Sequence, residues 1–310
     1  MKSDKPKIAV LMAAYNGEKY IEKQLISILN QVDVEVSIHI NLDKSSDNTL
    51  SVISKFKKTY PNISIISDDI SFGSACSNFF FLLSSIDLNE YDFISLSDQD
   101  DVWFENKLIQ AVSQIELKNV SSYSSNVIAV WPNKKRKKIY KSFSQKPFDH
   151  FFESGGPGNT YVFRKDFAVF LQEFLKKNAE AIKKVEHYDW FIYSLAKEYD
   201  FKWYLDDFYS LEYLQHGNNE IGANLGIKAY LKRARLLFNG SWFIQSRIIC
   251  SLTIKKNQDF FIEWSNLNFY SFLFLAYSSK KCRRNVRDQL VFFIVCTLLS
   301  LKSLFIKSTL

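Results

Sequence analysis

Glycine and proline are scarce in this chain, which has 9 glycines and 5 prolines among 310 residues. That scarcity excludes a collagen-like repeat and a flexible low-complexity protein, and no internal repeat is visible. The four cysteines form no C-x-x-C pair and no His/Cys cluster with zinc spacing, so we expect reduced cysteines, as in an intracellular protein. Because apolar residues make up 47% of the chain, it can bury a sizeable core.

Long apolar runs are absent as well. Near the N-terminus the run 8–14 follows three lysines, but it is about as short as the apolar part of a signal peptide can be. It leads directly into a helical pattern, so we interpret it as the first strand of a cytoplasmic protein. Toward the C-terminus the apolar run 290–306 is shorter than the roughly 20 residues that a membrane-spanning helix needs.

The net charge of +7 is unevenly distributed. Residues 226–310 contain 14 Lys/Arg and 3 Asp/Glu, a net charge of +11, which leaves −4 for residues 1–225. A basic cluster precedes the apolar run and consists of Lys280, Lys281, Arg283, Arg284 and Arg287. Such a pattern suits an anionic bilayer, so residues 226–310 are predicted to be helical and to attach the protein peripherally to the inner face of the plasma membrane. The alternative is packing on the preceding domain or a homodimer contact.

Strand and helix patterns alternate through the first hundred residues. Continuous apolar or half-buried runs predict strands at 8–14, 34–42, 63–67 and 93–97, and helical periodicity predicts helices at 18–30, 49–59 and 74–86. Later elements are predicted as a strand at 161–163, helices at 165–177 and 188–198, a strand at 202–205, and helices from about 227. This order indicates an α/β fold with a mostly parallel sheet flanked by helices, followed by a helical C-terminal extension.

Polar clusters follow three of the predicted strands: Tyr15-Asn16, Asp43 and Asp98-Gln99-Asp100. Ligands of such sheets bind outside the carboxyl ends of the strands, so these clusters are predicted to share one site. Two carboxylates two residues apart can hold Mn²⁺ or Mg²⁺ against a diphosphate. The alternative for the acidic cluster is a turn that caps the next helix, with Asp101 as the N-cap.

Three further polar positions each have two interpretations. Asp43 can accept the N3–H of a pyrimidine base, or it can form an Asx turn. Asp189 can take a proton from an attacking hydroxyl, or it can be an N-cap, and the nearby His187 can orient an acceptor or lie at the surface. His216, in the run QHGNN, can contact a diphosphate or metal, or belong to a surface turn.

Other nucleotide-binding classes fit less well. The turn 155–158 lacks P-loop spacing, and no G-x-G-x-x-G opens the first helix, which excludes P-loop and Rossmann dinucleotide sites. A sugar nucleotidyltransferase would have a glycine-rich basic loop after the first strand, where this chain has YNGE. A non-enzymatic nucleic-acid binder is suggested only by the basic run 134–138 and the basic tail, and we interpret the run as a solvated loop.

Several motifs, which follow one another in the family's order, resemble family 2 glycosyltransferases, and specifically their rhamnosyltransferase-like branch. Residues 13–21 (AAYNGEKYI) are similar to the family's first strand and loop, and 43–49 (DKSSDNT) to its D-G-S-T-D-N-T segment, with Lys44 in place of glycine and Leu42 in place of the first of two acids. Residues 71–78 (SFGSACSN) resemble the donor-side stretch, and 97–108 (SDQDDVWFENKL) the metal motif. Residues 187–190 (HYDW) look like the H-D-W motif, with Tyr188 intervening, and 215–224 resemble the motif that follows it.

The resemblance implies a GT-A-type catalytic domain at 1–225, with a nucleotide-binding half to about residue 101 and an acceptor half after it. It implies single-displacement transfer with inversion from a dTDP- or UDP-sugar, with dTDP-L-rhamnose favoured by the branch, to a surface polysaccharide or a lipid-linked glycan. Asp98 and Asp100 would hold the metal, and Asp189 would be the catalytic base. The implied donor-binding residues are Ala14, Tyr15, Asn16, Asp43, Asn78, Asp98, Gln99 and His216. The implied acceptor-side residues are Asp101, Trp103, His187, Trp190 and Asn218.

Overall fold

A computed structural model describes residues 5–67, 69–216 and 240–305. The predicted domain boundary near 225 and the beginning of the predicted helical tail therefore lie outside the described residues. The chain divides into two compact units. Unit 1 comprises Met1–Ser142, Gly156–Asp189 and Phe201–Gly222, and unit 2 comprises Phe143–Gly155, Trp190–Asp200 and Ala223–Leu310.

Unit 1 is built on one sheet in the order β3-β2-β1-β4-β8-β6-β9-β5, with β7 paired to β6. Its strands are β1 (Lys7–Ala14), β2 (Glu35–Leu42), β3 (Ile63–Ser67), β4 (Phe93–Ser97), β5 (Asp101–Trp103), β6 (Ser122–Val130), β7 (Arg136–Ile139), β8 (Val162–Arg164) and β9 (Trp203–Leu214). The strands β3, β2, β1 and β4 are parallel, as are β6 and β9, whereas β8 runs antiparallel to β4 and β6. The predicted α/β class, with a sheet flanked by helices, is confirmed.

The helices of unit 1 follow the strands, and the helix at 107–118 is the one among them that was not predicted. They are α1 (Ile21–Leu29), α2 (Thr49–Thr59), α3 (Ala75–Ser85), α4 (Lys107–Lys118) and α5 (Lys165–Lys177), and α6 (Tyr188–Glu198) begins in unit 1 and ends in unit 2. β1 is buried on both faces, because Ile8, Val10 and Met12 belong to the main core of unit 1 and the alternate residues are also inaccessible. The α1 side chains Ile21 and Leu25 complete that core from one helix face.

The second half of the sheet differs from the sequence prediction. β9 extends nine residues beyond the predicted strand end at 205, and β5, β6 and β7 were not predicted. The basic run 134–138, predicted to be a solvated loop, leads into β7, an exposed strand that pairs with β6 and ends the sheet locally. Lysines and arginines on such an edge oppose pairing with another chain. Arg136 forms an ion pair with Glu212 of β9.

Unit 2 is mainly helical. Its helices are α7 (Ser241–Thr253), α8 (Gln258–Ser265), α9 (Phe269–Tyr277), α10 (Ser279–Cys282) and α11 (Val286–Phe305). Their buried faces form an aromatic core around Phe243, Trp264 and Phe292, to which Phe151 and Phe152 of the segment 143–155 also belong. Within the described residues, no helix has both the length and the apolar character needed to cross a bilayer.

A buried carboxylate connects three segments of unit 2. Glu198, at the end of α6, accepts hydrogen bonds from the backbone N–H groups of Lys255 and Lys256, from the Asn257 amide and from His150. Burial alone would raise the pKa of Glu198, but the hydrogen bonds from His150, Asn257 and the two backbone donors lower it to about 2. The ionised carboxylate therefore holds the segment 143–155, helix α6 and the start of α8 together.

Candidate active site

Two loops at the carboxyl ends of β1 and β2 are joined by hydrogen bonds. The backbone N–H of Asn16 donates to Ser45 Oγ at 2.9 Å, and that of Gly17 donates to Thr49 Oγ1 at 2.8 Å. Asn16 adopts a left-handed backbone conformation with φ of 45°, and its side-chain oxygen accepts the N–H of Ser46. Asparagine tolerates this conformation better than most residues, which explains why it stands at the turn. These hydrogen bonds join the two loops into one strand-end edge of the sheet, beside the acidic cluster.

The acidic loop, which contains Asp98, Gln99 and Asp100 and connects β4 to β5, is fixed to this edge by Gln99. Its side-chain oxygen accepts the Tyr15 N–H at 2.9 Å, and its side-chain nitrogen donates to the Tyr15 carbonyl at 2.6 Å. The amide passes beside Gly17, where an added Cβ would lie 2.6 Å from Gln99 Cδ. Only a glycine at position 17 lets the Gln99 amide approach the backbone this closely. Gln99 in turn positions the two flanking carboxylates, Asp98 and Asp100.

Asp100 is paired with His216, which comes from the end of β9. The Asp100 carboxylate lies 2.8 Å from His216 Nε2, and the imidazole stacks on the Tyr20 ring with centroids 4.2 Å apart and planes 9° from parallel. Burial raises the pKa of Asp100, while the charge and hydrogen bond of His216 oppose that rise. The predicted site residues Asp100 and His216 therefore meet, although they lie 116 residues apart.

A polar cavity of about 970 Å³ opens beside this pair. Its lining includes Asn16, Lys19, Tyr20, Ser46 and His216. The volume is in the range of small-molecule and cofactor sites. A polar ligand in this cavity could therefore contact His216 directly.

Asp101 and Trp103 require a correction, because both were expected on the acceptor side and both side chains are buried. Asp101 is fully buried and accepts a hydrogen bond from the Asn159 amide at 2.6 Å. Trp103 lies in the main core, with Lys107 Nζ 3.4 Å from its ring centroid. These residues begin and end β5, so their side chains support the acidic loop from its buried side instead of facing an acceptor.

Asp101 and Lys107 are two titratable residues buried in the core behind the acidic loop. Burial, followed by the charges of Asp100 and Asp98, raises the pKa of Asp101 well above its usual range. Burial lowers the pKa of Lys107 well below its usual range, and the charge of Asp101 opposes that shift. One oxygen of Asp101, Oδ1, has no hydrogen-bond partner among the described residues. The loop thus concentrates negative charge that a nearby cation would stabilise.

Asp43 lies at the end of β2 and binds the segment before α3. Its two carboxylate oxygens accept the N–H groups of Phe72 and Gly73 at 3.0 and 3.1 Å. Asn78 on α3 is buried and hydrogen-bonds through its amide to the Asn41 side chain and backbone. Asn78 therefore anchors α3 to β2. Asp43 holds the segment before α3 by accepting two backbone N–H groups, and it also belongs to the strand-end edge.

Asp189 lies in the first turn of α6, one residue inside the helix rather than at its N-cap. The neighbouring Tyr188 ring packs on Phe79, and its hydroxyl occupies the space where a side chain at Gly158 would lie. Burial raises the pKa of Tyr188 well above its usual range, and the charges of Asp98 and then Asp189 raise it further. The charges of Asp98 and Asp189 thus both affect the pKa of Tyr188.

The remaining predicted residues differ in accessibility. Tyr15 is exposed, whereas Ala14 is buried and contributes its carbonyl to the N–H of Asp43. His187 is partly exposed beside Asp189. Trp190 belongs to unit 2, where its indole N–H donates to the His150 carbonyl at 2.8 Å and its side chain is buried. Asn218 lies outside the described residues.

The sequence analysis missed Tyr20, Lys107 and Tyr188 as parts of the site. Tyr20 directly precedes α1, and nothing in its spacing indicated the stacking on His216. For Lys107 a signal existed, because it stands on the apolar face of α4 four residues before Ala111, and both are buried. A lysine on the core face of an amphipathic helix indicates a buried electrostatic partner.

The donor set fits a hard divalent cation. Asp98 and Asp100 would supply carboxylate oxygens, which such a cation prefers. Within residues 5–67, 69–216 and 240–305, no three or more ligating side chains form a preformed metal-binding group. Mg²⁺ and Mn²⁺ commonly use one or two carboxylates together with phosphate oxygens of a bound nucleotide, which matches this arrangement.

A parallel strand-end edge, an acidic loop at its centre and a polar cavity beside it are features of an enzyme that binds a nucleotide at the carboxyl ends of the strands. The sequence profile described as Glycosyl transferase family 2 matches residues 9–178, and the chain belongs to that family. Family membership selects the glycosyltransferase interpretation over the nucleotidyltransferase and nucleic-acid-binding alternatives.

Similar proteins support the same class. The chain is 38% identical over 288 residues to a protein of Shigella flexneri named dTDP-rhamnosyl transferase RfbG, covering 93% of this chain and 99% of that protein. The crystal structure of S. aureus TarS 1-349 in complex with UDP matches with a TM-score of 0.54 and 16% identity, over 96% of this chain and 91% of that one. The mannosyltransferase PcManGT from Pyrobaculum calidifontis, in complex with GDP-Man and Mn²⁺, matches with a TM-score of 0.56 and 13% identity, over 99% and 77%. These two structures show the fold.

Proposed function

We propose that this glycosyltransferase moves L-rhamnose from dTDP-L-rhamnose to a glycan acceptor by a metal-dependent single displacement that inverts the anomeric centre. The observation that carries the proposal is the Asp98–Asp100 loop, which is locked to the β1 edge by Gln99 and paired with His216. That arrangement supports a diphosphate site at these carboxylates, because ligands of such sheets bind at the carboxyl ends of the strands. The choice of sugar is supported by the rhamnosyl transferase relative.

Asp98 and Asp100 would hold Mn²⁺ or Mg²⁺ at the donor diphosphate. The cation would neutralise charge that develops on the departing nucleoside diphosphate. His216 fixes the orientation of the Asp100 carboxylate through their 2.8 Å contact, and Tyr20 fixes His216 by stacking. Both contacts restrict the orientation of the Asp100 carboxylate, which supports its proposed role as a metal ligand.

The pyrimidine preference rests on Asp43. Each carboxylate oxygen of Asp43 accepts one backbone N–H, from Phe72 or Gly73, and each has a second lone pair. A carboxylate is an acceptor only, so it can accept the N3–H of thymine or uracil. The two backbone hydrogen bonds would hold the Asp43 carboxylate in position for the base. The Tyr15 ring is exposed at the same edge and could stack on the base.

Asp189 would act as the general base. Its position in the first turn of α6, and the effect of its charge together with that of Asp98 on the pKa of Tyr188, support a place on the acceptor side of the donor site. The carboxylate would accept the proton of the attacking hydroxyl while the sugar–phosphate bond breaks. His187 would then contact the acceptor. We propose a surface polysaccharide or lipid-linked glycan as that acceptor, with the enzyme at the inner face of the plasma membrane.

A donor panel tests the proposal. The purified full chain would be incubated with Mn²⁺ and dTDP-L-rhamnose, UDP-glucose or GDP-mannose, and release of nucleoside diphosphate would be measured with and without EDTA. We expect EDTA-sensitive release that is fastest with dTDP-L-rhamnose, and a product of inverted configuration by NMR in the presence of acceptor. Preference for GDP-mannose would refute the Asp43 assignment, and full activity in EDTA would refute the metal assignment.

A further inference from the structure

The outward face of α11 is apolar. Residues of the helix at Phe292, Val295 and Leu299 pack into the core of unit 2, so the opposite side would be polar in an ordinary surface helix. Instead the exposed side chains are Val286, Leu290, Val291, Phe293, Ile294, Leu298, Leu301 and Leu304. With 3.6 residues per turn these positions fall on about half of the helix circumference. An exposed apolar strip of this size marks an interaction surface.

Basic residues border the strip at both ends. Arg287 and Lys302 are exposed and project from the same half of the helix as the apolar residues. They are 15 residues apart, about 22 Å along the axis, so the apolar strip lies between two cations. Lys280 and Lys281, just before the helix, are also exposed. A helix with this charge distribution can bury its strip only by lying in the plane of a surface.

The structure separates the basic cluster of 280–287 into two groups. Arg283 and Arg284 point inward, where Arg284 pairs with Asp149 and Glu153 and Arg283 donates to the Phe152 carbonyl. They stabilise unit 2 and contribute little charge to the surface. Lys280, Lys281 and Arg287 remain exposed and supply the positive border of the strip.

We propose that the outward face of α11, with Lys280, Lys281 and Arg287, docks on an anionic lipid bilayer with the helix axis parallel to the membrane plane, an inference that rests on the membrane location proposed above. Charge decides between a membrane and a second copy of this chain. A two-fold contact through the same strip would bring Arg287 and Lys302 of both copies together, and like charges would repel. Anionic headgroups complement these cations while the acyl boundary accepts the apolar residues. On α9, which precedes this region, Tyr270 and Tyr277 are 77% and 90% exposed and suit the membrane–water boundary.

Vesicle flotation of the full chain tests the docking face. The wild type should bind vesicles containing phosphatidylglycerol at low salt, bind neutral phosphatidylcholine vesicles weakly, and lose binding as salt rises. Lys280→Gln with Lys281→Gln should lower the vesicle partition coefficient about 25-fold, at about fivefold for each cation. The matched control is Lys57→Gln with Lys58→Gln, an exposed pair in the last turn of α2, which should bind as the wild type does.

The apolar strip is tested separately. Leu290→Gln, Ile294→Gln and Leu298→Gln together keep helix propensity and should reduce binding strongly, whereas Leu117→Gln, at an exposed leucine of α4, should not. Thermal unfolding and donor hydrolysis without vesicles should be unchanged in all four variants, so membrane docking and the proposed chemistry are read independently. Absence of binding to anionic vesicles at low salt would overturn the proposal. So would a wild-type dimer that the triple variant converts to a monomer.

Discussion

The contact between Gly17 and Gln99 makes a specific prediction about how the acidic loop is positioned. In Gly17→Ala the new Cβ would lie 2.6 Å from Gln99 Cδ, so the amide must leave the Tyr15 backbone. The backbone at Gly17 does not have a positive φ, so alanine itself introduces no conformational strain there. Two hydrogen bonds, at 2.9 and 2.6 Å, would be lost. At about 1 kcal/mol each, the loss is about 2 kcal/mol, or roughly a 30-fold decrease in kcat/KM for sugar transfer.

A double-mutant cycle separates this mechanism from a general loss of stability. Gln99→Ala alone should cost a similar amount, because it removes the same two hydrogen bonds. Adding Gly17→Ala to Gln99→Ala should then cost almost nothing, since the clashing amide is absent and the two effects share one cause. Steady-state kinetics with the nucleotide-sugar donor would give the four values. A full additional loss from Gly17→Ala in the Gln99→Ala background would show that the amide contact is not the cause.

Other predictions concern the acidic loop, the base and the buried glutamate of unit 2. Asp100→Ala should abolish metal-dependent donor turnover with an unchanged melting temperature, and turnover that persists in this variant would exclude the metal role. Asp189→Asn should retain donor affinity by calorimetry and lose transfer by about a hundredfold or more, so near-normal transfer would return Asp189 to a structural role. Glu198→Gln should lower the free energy of unfolding by up to about 3 kcal/mol at pH 7, because its folded pKa of about 2 lies below the ordinary 4.5. This contribution is complete above pH 4.5 and is lost as the pH falls toward 2. The free energies of unfolding of wild type and variant, measured with urea, should therefore converge in acid. A difference between them that stays constant down to pH 3 would contradict the assignment.

The first half of the fold was predictable because its sequence signals are strong and local. The strands β1 to β4 are short apolar runs separated by helical periodicity, and parallel strands buried on both faces read as such runs. The ends of those strands also identified the polar clusters. The predicted helix over 49–59 and strand over 93–97 coincide with α2 and β4.

The strands β5 to β7 could not be predicted, because their amino-acid composition is not typical of strands. β6 contains Ser122, Ser124, Ser125 and Asn126, all buried, and a polar segment of this kind predicts a loop. The side chains of Ser124, Ser125 and Asn126 have specific hydrogen-bond partners, such as Ser210 Oγ, which lies 2.7 Å from Ser125 Oγ, whereas Ser122 Oγ has none among the described residues. Whether a buried serine finds such a partner depends on strands that are far away in the sequence, so local patterns cannot show it.

The site shows the same limit at the level of single side chains. Sequence spacing brought Asp98, Asp100 and His216 into one proposed site, but it could not show which carboxylates of the acidic loop face outward. Asp101 follows Asp100 directly and is fully buried, since the pleat of β5 turns it to the opposite side. The supporting role of Tyr20 was equally invisible, because stacking on His216 joins residues from the two ends of unit 1.

The pairing of Asp100 with His216 has a consequence for synthesis on the ribosome. The strands that carry the first loops and the acidic loop are complete once residue 103 has emerged, whereas His216 is made 116 residues after Asp100. The strand β5 also waits for β9, since Asp101 pairs with Tyr213. Domains fold as their segments become available, and contacts between distant residues form late. The nascent chain therefore carries an incomplete donor site until the end of β9 leaves the ribosome, and premature truncation anywhere before His216 should yield a protein without transfer activity.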